Sequence, residues 1–223
     1  MHEFTHPFAD YCRMNFDLTG SESYDYRSLP VCLIDCVYSL RARYETVTIP
    51  IVNRYASAYM DGNKNGTEDT VSQFLQHVQE LGGPQAFADK IAKNHQKLGG
   101  KASIPKELVC FKLAQYLSYL HIETLEDFQN FQSQELLEIV IRSVKGLGDA
   151  GVNYLFMLAG DANRCKPDVH IHRCVEDACG VPLSNEDCQR LFTDAVSVLK
   201  EQYPALTVRR LDGIIWRKYQ AQA

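Results

Sequence analysis

An all-α protein is expected from this amino-acid sequence, on three observations. Apolar residues recur at helical spacing in segment after segment, as in Leu33, Val37, Leu40 and Tyr44, or Val109, Leu113, Leu117 and Leu120. Residues that start or stop helices border those segments, with Pro30, Pro84, Pro105, Ser133 and Ser184 before them and Gly82-Gly83 and Gly180 after them. Strand-like alternation of apolar and polar residues is not sustained anywhere.

Residues Met1 to Ser28 mix Phe4, Phe8, Tyr11, Phe16, Tyr24 and Tyr26 with polar residues and the turn formers Gly20 and Ser21. Without a clean period they read as an irregular arm whose rings anchor it on the C-terminal helices. Pro30 opens a helix to about Tyr44. Its stripe is Leu33, Val37, Leu40 and Tyr44; Asp35 and Ser39 lie on another face, and Arg41 and Arg43 stand near the C-terminal end. Cys32 and Cys36 read as small core residues. A helix over Thr46 to Tyr59 tolerates Pro50 in its first turn. The loop from Asp61 to Gly66 has the start of a calcium loop, but Ser72 stands at the twelfth position where a bidentate Glu is needed, so a plain polar turn is expected.

An amphipathic helix follows from Glu68 to Leu81, then one from Pro84 to Asn94, a break at Gly99-Gly100, and a strong helix from Pro105 to Leu120. Leu125 to Phe131 forms a short helix, and Ser133-Gln134-Glu135 opens another that carries Leu136, Leu137, Ile139, Val140 and Val144. Gly146-Leu147-Gly148 then reverses the chain, with free backbone amides at the start of the helix that holds Val152, Leu155, Phe156 and Ala159. Asp168 to Cys179 is a helix closed by Gly180, Ser184 to Tyr203 another, and a last helix after Leu206-Thr207 carries Leu211, Ile214, Ile215 and Trp216.

The chain's 223 residues, 45% of them hydrophobic, can bury a good core. No apolar run approaches a membrane span, and residues Met1 to Met14 lack the apolar core of a signal peptide. A cytoplasmic protein is therefore expected, nucleoid-associated in a bacterial cell, with its eight cysteines as reduced thiols. The net charge of −5 argues against nucleic-acid binding by bulk electrostatics. A local patch is still available, since Arg41, Arg43, Arg142, Lys145, Arg164, Lys166 and Arg173 lie in the segments around the glycine turn and Asp168.

The glycine turn Gly146-Leu147-Gly148, followed about twenty residues later by Pro167-Asp168-Val169-His170-Ile171 at a helix start, resembles the helix-hairpin-helix, Gly/Pro-Asp (HhH-GPD) superfamily of DNA base-excision glycosylases. Weaker resemblance runs from Leu33 to Trp216. It implies two helical lobes, one over 48–160 containing the hairpin and one built from 1–47 and 161–223. It also implies that Lys145, Gly146, Leu147 and Gly148 seat a phosphate of duplex DNA, that Asp168 serves the removal of an extruded base, and that Arg41, with Arg43 near it, fills the gap the base leaves. A helix N-terminus suits an oxyanion on physical grounds as well, through unpaired donors and partial positive charge.

Two departures narrow the expected activity. Bifunctional members carry a nucleophilic lysine two residues beyond the second glycine of the hairpin; Ala150 stands there and cannot form a Schiff base, so a monofunctional enzyme is expected. Cys165, Cys174, Cys179 and Cys188 lack the spacing of the superfamily's iron–sulfur ligands, and His170 and His172 diverge on a helix, so neither cluster nor zinc, and no cofactor, is expected. Asp168 also has a plain reading as a helix N-cap, worth about 1 kcal/mol. Cap and catalytic group are compatible roles. Asp35, Tyr154 and Met157 are candidates to line the base pocket, Asp35 as a second acid or simply a polar residue paired between helices. The alternative is a non-catalytic helix-hairpin-helix module that binds DNA or a protein, favoured by the acidic charge, Ala150 and Gly151. A monomer is expected.

Overall fold

The computed structural model describes residues 1–19, 26–65, 69–99 and 103–222. Gly20, Ser21, Tyr24, Gly66, Glu68 and Gly100, to which the sequence assigns arm, turn or helix-start roles, lie outside the described residues. Among the described residues there are twelve α-helices and one pair of two-residue strands, β1 (Lys97–Leu98) and β2 (Ile104–Pro105), so the chain is mostly helical as expected. No helix among the described residues is long and apolar enough to cross a membrane.

The chain divides into two compact units, Asp25–Gly160 and the combined ends Met1–Tyr24 with Asp161–Ala223. The expected boundary at residue 47 therefore moves to residue 24. The reason lies in α2 (Leu29–Ser39), all eleven residues of which are buried. A helix buried on every side belongs at the centre of a bundle. It packs against α3 (Ile49–Tyr59), α6 (Lys106–Tyr119) and α9 (Gly148–Leu158), all in the larger unit. Buried Lys106 caps its last turn, donating to the Tyr38 carbonyl at 3.0 Å and to Gln96 Oε1 at 2.9 Å. Ser28 starts the same helix, its hydroxyl accepting from the Val31 amide.

Two elements depart from expectation. Helix α2 ends at Ser39 and not at Tyr44: Leu40 is extended, Arg41 adopts φ 53, and a π-helical turn, Tyr44–Thr48, leads into α3. The arm is not irregular, because Thr5–Asn15 forms α1, packed on α11 (Asn185–Leu199) with Phe8 and Phe192 rings 5.1 Å apart. The rest of the larger unit comprises α4 (Val71–Leu81), α5 (Pro84–Phe87) with a π-helical extension Ala88–Ala92, α7 (Leu125–Asn130) and α8 (Gln134–Arg142). Capping boxes at Thr70 with Gln73 and at Thr124 with Asp127 start α4 and α7.

In the smaller unit α10 (Val169–Cys179) and α12 (Val208–Gln220) complete a core of Phe8, Cys12, Ile171, Cys174, Leu191 and Leu211 among others. Tyr219 on α12 ties its neighbours, its hydroxyl donating to Asp177 at 2.7 Å and lying 2.9 Å from the Tyr11 hydroxyl.

Candidate functional site

Within the larger unit the turn between α8 and α9 is fixed by its glycines. Gly146 has φ 100 and Gly148 φ 64, both in the left-handed half of backbone space. At Gly146 a Cβ would stand 2.7 Å from Ile104 Cγ2 and 3.2 Å from Leu98 Cβ, so the turn sits directly on β1 and β2. Leu147 is buried beneath it. Lys145, Gly148 and Asp149 face solvent. Among the described residues no side chain caps α9, which leaves its first amides for another acceptor. Asp149 in that first turn is paired with Arg142, which also pairs with Glu138.

Gly151 explains itself once α2 is seen against α9. A Cβ there would lie 3.1 Å from Leu40 Cδ1 and 3.0 Å from Leu147 Cγ, and Cys36 Sγ donates to the Gly151 carbonyl at 3.2 Å. The Leu40 and Leu147 side chains that close on this point, rather than weak helicity, account for that glycine. The Leu40 contact also brings Arg41, the next residue, to the α9 side of the unit. Arg41 and Arg43 are both exposed. Because α2 stops at Ser39 and not at Tyr44, Arg41 is the residue just past the C-cap Leu40, in a positive-φ turn at the helix C-terminus, where a cation is also favoured by the helix dipole.

Asp35 and Tyr154, both expected at a pocket, are brought together. Tyr154 donates to Asp35 Oδ1 at 2.8 Å, while Oδ2 accepts from Tyr26 at 2.8 Å and from Tyr44 at 2.7 Å. Asp35 has no exposure, so its carboxylate is an internal hub of the kind that needs several donors to be tolerated. Burial, then the adjacent carboxylate, push the Tyr26 and Tyr44 phenols well above the usual range, and both remain proton donors. Met157, the third candidate, is completely buried. Sequence reasoning missed Tyr26 and Tyr44: Tyr44 continues the apolar stripe of α2, and nothing local marks either as a partner of Asp35.

Asp168 belongs to the smaller unit, at the N-cap of α10. Its Oδ1 accepts from the His170 amide at 2.9 Å and the Ile171 amide at 3.3 Å. No hydrogen bond among the described residues reaches Oδ2, so capping occupies one oxygen and the half-buried carboxylate keeps the other. The chain ahead of it is pinned without regular structure. The Cys165 amide donates to Gln189 Oε1 at 2.9 Å, the Lys166 amide to Asp212 Oδ1 at 2.7 Å, and the Arg209 amide to the Ala162 carbonyl at 3.1 Å. Asp168 is thus held by α11 and α12 as well as by its own helix.

Two other arrangements carry no chemistry. His172 Nδ1 lies 3.7 Å from Cys188 Sγ and its Nε2 2.8 Å from Asn185 Oδ1, an order known from thiol hydrolases. Cys188, however, is fully buried, and burial pushes its thiol up to about 12, so it is neither ionised nor reachable. A surface cavity of about 490 Å³ is lined by Leu75, Gln79, Gly82, Gly83, Phe111 and Gln115, with no ionisable group. All eight cysteines are free thiols, and no group of three or more His, Cys, Asp or Glu among the described residues could hold a metal ion.

Fold and geometry thus define a mostly helical protein with a glycine-built, cation-flanked helix start and a carboxylate at a pinned N-cap. The chain belongs to the family described as a domain of unknown function, DUF8548, which matches residues 7–221. No curated protein and no solved structure matches it.

Proposed function

We propose that this chain is a monofunctional DNA glycosylase of the helix-hairpin-helix, Gly/Pro-Asp type, which hydrolyses the N-glycosidic bond of a damaged or mismatched base extruded from duplex DNA. The observation that carries the reading is the α8–α9 turn, where Gly146 and Gly148 at positive φ open an uncapped helix beside exposed Lys145. Those amides suit a phosphate, and Lys145, Arg41 and Arg43 add the cations that the net charge conceals.

Asp168 supplies the chemistry. Breaking the N-glycosidic bond builds positive charge on the sugar, and an ionised carboxylate lowers that barrier electrostatically. The same carboxylate takes a proton from water as the water oxygen bonds to the anomeric carbon. The base departs with the bond's electron pair and takes a proton from solvent, the proton held by Asp168 returns to solvent, and the products are the free base and an abasic site. Oδ2, outside the cap bonds, suits this role, while Oδ1 holds the side chain in place. Ala150 provides no amine for a Schiff base, so the strand stays intact.

The competing reading is a helix-hairpin-helix module that binds without chemistry, and Asp149 in the first turn of α9 favours it by opposing an anion there. A panel of duplexes carrying one modified or mismatched base each separates the two. The glycosylase predicts that one or a few duplexes acquire alkali-labile sites and remain uncut without alkali. Binding with no labile site in any duplex supports the module.

A further inference from the structure

The turn that carries Arg41 and Arg43 is fastened at both ends to α9. At its start, Leu40 occupies the space that Gly151 leaves open, 3.1 Å from where a Cβ would stand, with Leu147 closing on the same point. At its end, Tyr44 donates to Asp35 Oδ2 at 2.7 Å, and Asp35 Oδ1 accepts from Tyr154 of α9 at 2.8 Å. Between these fixed points the backbone leaves α2, passes through φ 53 at Arg41 and enters a π-helical turn at Tyr44. The two arginines are the exposed residues of a segment whose flanks are held down.

We propose that Asp35 is a positioning residue: through Tyr44 and Tyr154 it locks the arginine turn onto the helix that begins at the glycine turn, so that a phosphodiester backbone meets a preformed surface of cations and amides. The purpose assigned to the lock rests on the DNA-binding reading above; the lock itself does not. Asp35 is suited to this and not to proton transfer, because it has no exposure and both oxygens already accept phenol protons. An exposed arginine on a loose turn must be ordered at binding, whereas one on a fixed turn has already been ordered by folding. A carboxylate is the hub that accepts donors from residues 26, 44 and 154 at once, which a neutral side chain accommodates less well.

Tyr44→Phe and Tyr26→Phe form a matched pair, since each removes one phenol from the cluster at the same Oδ2, where the two hydroxyls also meet each other, but only Tyr44 adjoins the arginine turn. Two measurements are made on the full chain: the rate of native-state trypsin cleavage after Arg41 and Arg43, and the Kd for a duplex containing a stable abasic-site analogue. Tyr44→Phe is expected to be cleaved about tenfold faster and to bind about tenfold more weakly, the scale of one ordered side chain or short segment. Tyr26→Phe, which leaves the Tyr44–Asp35 bond in place, should change either quantity by no more than about twofold, and Arg41→Ala/Tyr44→Phe should bind no more weakly than Arg41→Ala, because both changes act through one contact. Equal cleavage of the two Phe variants overturns the lock. Faster cleavage of Tyr44→Phe alone, with no affinity of the wild type for the duplex, upholds the lock and overturns the DNA reading.

Discussion

Asp168→Asn is expected to abolish base release, by at least about 100-fold, while leaving DNA affinity and folding stability nearly unchanged. The separation of effects follows from how the carboxylate is used. Its Oδ1 accepts the His170 and Ile171 amides, and an asparagine carbonyl caps a helix about as well as a carboxylate does. Unfolding free energy should therefore shift by less than about 0.5 kcal/mol. What asparagine lacks is charge. It can neither balance the cationic sugar nor accept a proton from water. Asp168→Ala removes the cap as well and should cost about 1 kcal/mol in addition. Single-turnover base release on the duplex identified by the panel, with urea unfolding alongside, reads both consequences. Equal release by Asp168→Asn and wild type would remove the aspartate from the reaction.

Gly146→Ala carries the largest expected stability cost, about 2–5 kcal/mol by urea denaturation. Two penalties combine. A φ of 100 is unfavourable for any side chain, at about 1–2 kcal/mol, and the new methyl would stand 2.7 Å from Ile104 Cγ2 in a packed contact, which adds about 1–3 kcal/mol of overpacking. Gly148 supplies the internal control. It has φ 64 but open space around its Cβ position, so Gly148→Ala should cost only the backbone share, about 1–2 kcal/mol. Equal losses for the two variants would mean that the turn does not rest on Ile104 and Leu98 as described.

Most helices were legible because their caps and stripes agree. Ser133, Asp168 and Ser184 each accept a first-turn amide where the sequence places a start, whereas the helix expected from Glu68 begins after its cap Thr70. Helix α1 was obscured because it buries only Thr5, Phe8, Ala9 and Cys12, too narrow a set to outweigh the scattered aromatics around it. The end of α2 was misleading for the opposite reason. Leu40 and Tyr44 keep the helical rhythm of Leu33 and Val37, yet Leu40 meets Gly151 and Tyr44 reaches Asp35 from a turn. Periodicity records which residues face inward, and a turn fastened at both ends half-buries Leu40 and Tyr44 much as a helix would. The three phenols around Asp35 come from residues 26, 44 and 154, a convergence that no local pattern announces.

The grip of the glycine turn on a DNA phosphate is the premise beneath these expectations, and amide resonances of the isotope-labelled protein report on it residue by residue. In a titration with a duplex containing a stable abasic-site analogue, the amides of Gly148, Asp149 and Ala150 are predicted to shift furthest and to saturate together, with Lys145 and Arg41 following. A saturable titration that leaves those three amides in place while others move would contradict the account.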